Sequence, residues 1–170
     1  LKLIKWYSEN KRNLPWRESK SPYKIWISEI ILQQTKVDQG LPYYLKFIKK
    51  FPNVHDLAIA NENMVLKLWQ GLGYYSRARN LHYSAKYISN HLNGEFPKTY
   101  DELIKLKGVG KYTASAIASF AFNEKKAVLA GNVFRVLSRY FGIKDPIDTT
   151  SGSKIFENIA FINLPKKNVD

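Results

Sequence analysis

Glu29 stands in the run Ile25-Trp26-Ile27-Ser28-Glu29-Ile30-Ile31-Leu32-Gln33-Gln34. On a helix its neighbours three and four positions away are Ile25, Trp26, Leu32 and Gln33, so this carboxylate does not belong to a solvated charged face. Glutamate is rarely buried unless it is paired or functional. Two readings follow. One is a structural glutamate satisfied by an arginine or a backbone amide; the other is a general acid whose pKa is lifted toward neutrality by desolvation.

The second chemical feature is made of backbone. Leu106-Lys107-Gly108-Val109-Gly110-Lys111-Tyr112-Thr113-Ala114 reads as the end of one helix, a two-glycine turn and the start of a small-residue helix. Gly108 and Gly110 allow positive φ and a close approach to a partner. The first amides of the following helix lack internal partners and carry the positive end of its dipole, which suits a phosphate. Glycine also caps ordinary helices. Here, however, the pattern recurs: Gly71-Leu72-Gly73-Tyr74-Tyr75-Ser76 aligns with Gly108-Val109-Gly110-Lys111-Tyr112-Thr113 at an offset of 37 residues, and Leu66 and Trp69 match Leu103 and Leu106 upstream. Two helix–turn–helix units predict two amide contacts along one polyanion.

Charge supports that expectation. The 170 residues carry 27 Lys and Arg against 14 Asp and Glu, a formal charge of +13. Such an excess attracts nucleic acid or an anionic membrane. No apolar run approaches spanning length and no signal-peptide pattern opens the chain, so nucleic acid is the expected partner. There is no cysteine, which excludes disulfides, thiolate metal sites and cysteine nucleophiles and fits a cytosolic protein. His55, His82 and His91 show no ligand spacing, and no metal site is expected.

Helical periodicity must position these groups. Helices are predicted near 1–10, 22–36, 41–50, 62–70, 74–91, 99–106, 111–122, 132–141 and 151–162, with Ser21-Pro22 as an N-cap followed by proline at the first helical position. Phe51-Pro52 and Phe96-Pro97 separate helices, and strand-like alternation is scarce. An all-α fold is expected. Asn132 is expected to cap the helix that carries Val133, Val136, Leu137 and Tyr140.

Several motifs taken together resemble one family. Leu14-Pro15-Trp16-Arg17, Pro22-Tyr23-Lys24-Ile25-Trp26, Ser28 to Thr35, Gly71 to Leu81 and the 106–114 hairpin are similar to the MutY-like adenine DNA glycosylases of the helix-hairpin-helix repair superfamily. The likeness runs through about residues 1–141. It implies hydrolysis of the N-glycosidic bond of adenine mispaired with 8-oxoguanine or guanine in duplex DNA. It also implies a monomer that extrudes the adenine, in the bacterial cytoplasm at the nucleoid. The fold it implies is a six-helix barrel-like lobe with the hairpin (residues 21–125) and an incomplete second helical lobe built from 1–20 and 126–170.

By the same resemblance Glu29 protonates adenine N7 and helps handle the water, and Tyr112 assists it. Trp16, Arg17 and Leu32 surround the extruded adenine. Gln34 and Tyr74 lie at the lesion pair, Tyr74 as a wedge in the opened stack; extrusion costs a few kcal/mol, so an inserted aromatic is physically reasonable. Phosphate contacts are expected from Gly71, Gly73, Arg77, Arg79, Gly108, Val109, Gly110 and Lys111, while Trp26 and Trp69 are expected to pack in the core. Pyrimidine-specific lyases of the superfamily carry a nucleophilic lysine where Tyr112 stands. Lys111 is one residue out of phase, about 100° around the helix.

The chain departs from the family at Ala130-Gly131-Asn132-Val133, where the pattern is Asp-Gly-Asn-Val. Asn132 is retained in the catalytic segment. The missing aspartate is the second carboxylate that glycoside cleavage generally requires. Asp145 and Asp148 follow in a loop and are poor substitutes. An engineered substitution and a natural inactive variant both fit Ala130. The resemblance further implies a four-cysteine [4Fe–4S] segment and a lesion-reading domain beyond the point where this chain stops, and so a catalytic-domain fragment. The competing reading is a helix-hairpin-helix DNA-binding module without activity.

Overall fold

The computed structural model describes residues 2–165, and all the regular structure among them is helical. In chain order the helices are α1 (Lys2–Asn10), α2 (Pro22–Ile31), α3 (Val37–Lys50), α4 (Val54–Ile59), α5 (Glu62–Trp69), α6 (Ser76–His91), α7 (Tyr100–Leu103), α8 (Lys111–Phe122), α9 (Gly131–Phe141) and α10 (Thr150–Ile162). A 3₁₀ turn, Pro15–Arg17, precedes α2.

α2 is the central element. Ile25, Trp26, Ile27, Ser28, Ile30 and Ile31 are all buried, so the helix is enclosed on nearly every side. Ser21 caps it by accepting from the Lys24 amide, with Pro22 at the first position as expected. α8 lies against it, and its Thr113, Ala114, Ser115, Ala116, Ile117 and Ala118 are all buried, mostly small side chains that let helices approach closely. Trp26 and Trp69 are fully buried, as read from the sequence. The main core runs from Leu14 to Ala118. α9 and α10 pack on each other, with Phe134 edge-on to Phe156 at 5.1 Å.

Three expectations are corrected. α4 was missed because six residues are too few for periodicity to speak; its start is marked instead by Asn53, whose side chain accepts from the Asp56 amide. α2 stops at Ile31, where residues 22–36 were expected to be helical. α7 is a single turn, Glu102 accepting from both the amide and the hydroxyl of Thr99. Among the described residues no helix is long and apolar enough to cross a membrane.

Candidate active site

Glu29 is the carboxylate of the enclosed helix, half-buried between neighbours that are wholly buried. Burial pushes its carboxyl up to about 7, while a hydrogen bond from Tyr112 and the positive charge of Arg17 pull the other way. The Tyr112 hydroxyl is in turn pushed up to about 12, by burial and then by the Glu29 charge. Three elements therefore converge: the middle of α2, the first turn of α8 and the 3₁₀ turn. A carboxyl that is half protonated near neutrality, with a hydroxyl on one side, can deliver a proton and take it back.

Around this group Arg17 is exposed, its guanidinium 5.9 Å from the centre of the Tyr7 ring. Trp16 is buried and meets Tyr44 edge-on at 5.0 Å, so it anchors the turn that carries Arg17 and presents no open aromatic face. Leu32, one helical turn after Glu29, is half-buried; its Cδ2 lies only 2.8 Å from where a Cβ on Gly40 would stand, so glycine makes room for it on α3.

The two glycine turns are built differently from the simple expectation. Gly71, Gly73 and Gly108 take φ of +100°, +70° and +82°, but Gly110 has φ −88° and serves as the N-cap of α8. At Gly108 a side chain is doubly excluded, since an added Cβ would meet Asn80 Cβ at 2.7 Å. At Gly110 nothing lies within 4 Å, so its open space is available to a ligand. The Val109 side chain is in the core, which leaves only its backbone for contact. Ser84 donates to the Lys107 carbonyl at 2.8 Å, so α6 supports the second turn from its side while starting at the end of the first. Sequence reading missed Asn80 and Ser84, because polar residues on a long helix carry no signal of what packs over them. Lys111 and Arg79 are exposed, Arg79 at 3.5 Å from Glu62.

Arg77 differs from its expected role. Its guanidinium is turned into the protein, Nη1 donating to the carbonyls of Ile30, Ile31 and Gln33 and Nη2 to those of Leu72 and Gly73. It also lies 5.3 Å from the centre of the Trp69 ring. Both terminal nitrogens of the fork are thus bonded to backbone carbonyls.

Gln34 and Tyr74 are exposed, and both have positive φ, +56° and +47°. The other non-glycine residues of this kind, Asn93 and Asn123, belong to the type that tolerates the left-handed region. Gln and Tyr do not share that tolerance, at a cost of about 1 kcal/mol each. Ala130 is the N-cap of α9, with φ −93° and ψ 163° and no side-chain cap. Asn132, expected as the cap, is already inside the helix, where its Oδ1 accepts from Arg135 Nη1 at 3.3 Å. Asp145 and Asp148 are exposed.

The site is thus a central helix with one pKa-shifted carboxyl, flanked by paired glycine turns. The chain belongs to the HhH-GPD superfamily of base excision DNA repair proteins, whose family model matches residues 27–159. It is 51% identical over 142 residues to the adenine DNA glycosylase of Buchnera aphidicola subsp. Baizongia pistaciae, covering 83% of this chain and 40% of that protein. Against the adenine DNA glycosylase of Homo sapiens it is 42% identical over 164 residues, covering 91% and 30%. The chain thus spans less than half the length of these curated relatives. In structure it is similar to a thermostable thymine-DNA glycosylase, with a TM-score of 0.88, 28% identity and coverage of 98% of this chain and 77% of that one. An endonuclease III–DNA covalent intermediate shares the fold, with a TM-score of 0.80, 23% identity and coverage of 98% and 75%.

Proposed function

We propose that this chain is the catalytic portion of an adenine DNA glycosylase that binds duplex DNA and holds an extruded adenine, with its chemistry crippled at Ala130. The observation that carries the reading is Glu29, a carboxyl held near 7 beside Tyr112 and Arg17 in the buried helix α2. Glu29 gives its proton to adenine N7, which makes the base a better leaving group. The bond from the sugar carbon to the base nitrogen breaks with its electron pair going to the base. Glu29, now ionised, takes a proton from the water whose oxygen bonds to the sugar carbon, which completes hydrolysis and restores the acid.

The first amides of α8 and the turn at Gly71–Gly73 supply phosphate contacts, with Lys111 and Arg79 adding charge. Arg17 and Leu32 border the adenine, and Gln34 and Tyr74 engage the pair that contained it. Opposite 8-oxoguanine or guanine, such an enzyme acts as a monomer; a cytoplasmic, nucleoid-associated location accompanies the reading, in line with its bacterial relatives. The domain division at residues 20 and 125 is kept as part of it. The [4Fe–4S] cluster implied by the resemblance finds no thiolate here. The chain has no cysteine, and among the described residues no group of three or more His, Asp or Glu could hold a metal.

Ala130 favours a second reading, a DNA-binding module without activity, because it places no carboxylate at the α9 N-cap. Single-turnover release of adenine from an 8-oxoguanine:adenine duplex separates the two. Slow release that vanishes in Glu29→Gln supports the enzyme. Mispair-independent binding with no release, unchanged by restoring Asp at position 130, supports the module.

A further inference from the structure

The most heavily committed side chain outside the acid site is Arg77, which joins two segments 40 residues apart. Its Nη1 holds the Gln33 carbonyl at 2.6 Å and its Nη2 holds the Gly73 carbonyl at 3.2 Å. Those carbonyls belong to the peptide units whose nitrogens are the amides of Gln34 and Tyr74. Fixing each peptide plane therefore fixes the axis about which φ of the next residue turns, and both next residues are in the left-handed region. Further bonds to Ile30, Ile31 and Leu72 anchor the fork to the end of α2 and to the first glycine turn. The guanidinium also lies 5.7 Å from the centre of the Tyr74 ring, and Trp69 Nε1 reinforces the Gly73 carbonyl at 3.1 Å.

We propose that Arg77 is a positioning residue: one planar fork sets the spacing and backbone twist of Gln34 and Tyr74, so that the two enter the DNA at the mispair as a matched pair. A lysine cannot take over. Its ammonium is a single point with three donors and does not span two backbone segments in one plane. The proposal rests on the reading of Gln34 and Tyr74 as the residues that engage the lesion pair.

The test uses the full chain and two duplexes of equal length, one with a single 8-oxoguanine:adenine pair and one fully paired. Binding constants for each duplex are measured over a range of salt. A 2-aminopurine beside the mispair reports opening of the stack. Arg77→Lys is expected to lower the preference for the mispaired duplex roughly tenfold, the effect of about 1.4 kcal/mol. It should also remove the 2-aminopurine signal while leaving the salt slope alone. In the background lacking both side chains, Gln34→Ala with Tyr74→Ala, it should add nothing further. Wild-type preference in Arg77→Lys overturns the proposal, and so does equal weakening on both duplexes in Arg77→Met with the slope reduced by about 0.9, the mark of a lost phosphate contact. If Tyr74→Ala and Gln34→Ala both keep full preference, the lesion-pair reading fails first and takes the proposal with it. Should the Arg77 variants not fold, the unmodified chain still decides. Side-chain ¹⁵N signals of Arg77 should stay in place on DNA binding while the Gln34 and Tyr74 amides shift; movement of the guanidinium signals overturns the proposal.

Discussion

The Tyr112 hydroxyl hydrogen-bonds the Glu29 carboxylate across the seam between α8 and α2, and each group moves the other's proton equilibrium. The bond favours ionised Glu29 and so opposes the larger effect of burial. Removing it in Tyr112→Phe should raise the Glu29 midpoint above about 7, by roughly half a unit to one unit for a bond of about 1 kcal/mol. Carboxyl ¹³C titration of glutamate-labelled protein measures this without any turnover. A midpoint that stays put or falls would show that the hydroxyl does not hold the carboxylate.

An acid kept near neutrality is a cost to the fold. In the unfolded chain Glu29 ionises at its ordinary value of 4.5, whereas the folded chain holds the proton to about 7. Between these values the unfolded state loses its proton first, so stability declines as pH rises through that window and then levels off. Glu29→Gln has no such decline. It should match the parent at pH 4 and exceed it at pH 8, by on the order of 2 kcal/mol after allowing for partial solvent access. Urea midpoints at the two pH values are the measurement; a gap that does not grow with pH contradicts a raised Glu29.

Glu29 and the glycine turns were legible because each breaks a local rule: a charge on an apolar helix, and paired glycines repeated at one offset. Arg77 was not legible as a backbone clamp, since its sequence neighbours are those of any basic residue opening a helix. Its role depends on Ile30, Ile31 and Gln33, which lie more than forty residues upstream. Asn132 misled for a different reason. Asparagine is a favoured cap, but here the cap of α9 falls two residues earlier than expected, at Ala130.

The two glycines of the second turn should separate fold from binding. Gly108→Ala combines φ +82° with a contact against Asn80, and should destabilise the protein. Gly110→Ala meets neither obstacle, with φ −88° and open space at the Cβ, so its melting temperature should hold or rise slightly. Yet that Cβ stands where a phosphate is proposed to approach the α8 amides. Duplex affinity should therefore fall in Gly110→Ala, equally for mispaired and paired DNA. Lys111→Glu should weaken both duplexes as well and lower the log–log salt slope by about 0.9. Unchanged affinity in Gly110→Ala would remove the turn from the DNA interface.

Ala130 offers the sharpest separation of charge from structure. As the N-cap of α9 it leaves the first amides of the helix without a side-chain acceptor. Both Asp and Asn cap well, so Ala130→Asp and Ala130→Asn should each stabilise the protein, typically by ~1 kcal/mol. Only Asp adds a negative charge, favoured there by the helix dipole and available to a developing sugar cation. Loss of such positioned charge typically costs on the order of 10²–10³ in rate. Single-turnover adenine release from an 8-oxoguanine:adenine duplex should thus rise by about that factor in Ala130→Asp and stay at the parent level in Ala130→Asn, despite equal gains in melting temperature. Adding Glu29→Gln to Ala130→Asp should abolish release again. If Ala130→Asn recovers as much activity as Ala130→Asp, the cap and not the carboxylate is what the chain lacks. If the Ala130→Asp, Glu29→Gln double variant remains fully active, Glu29 is not the acid.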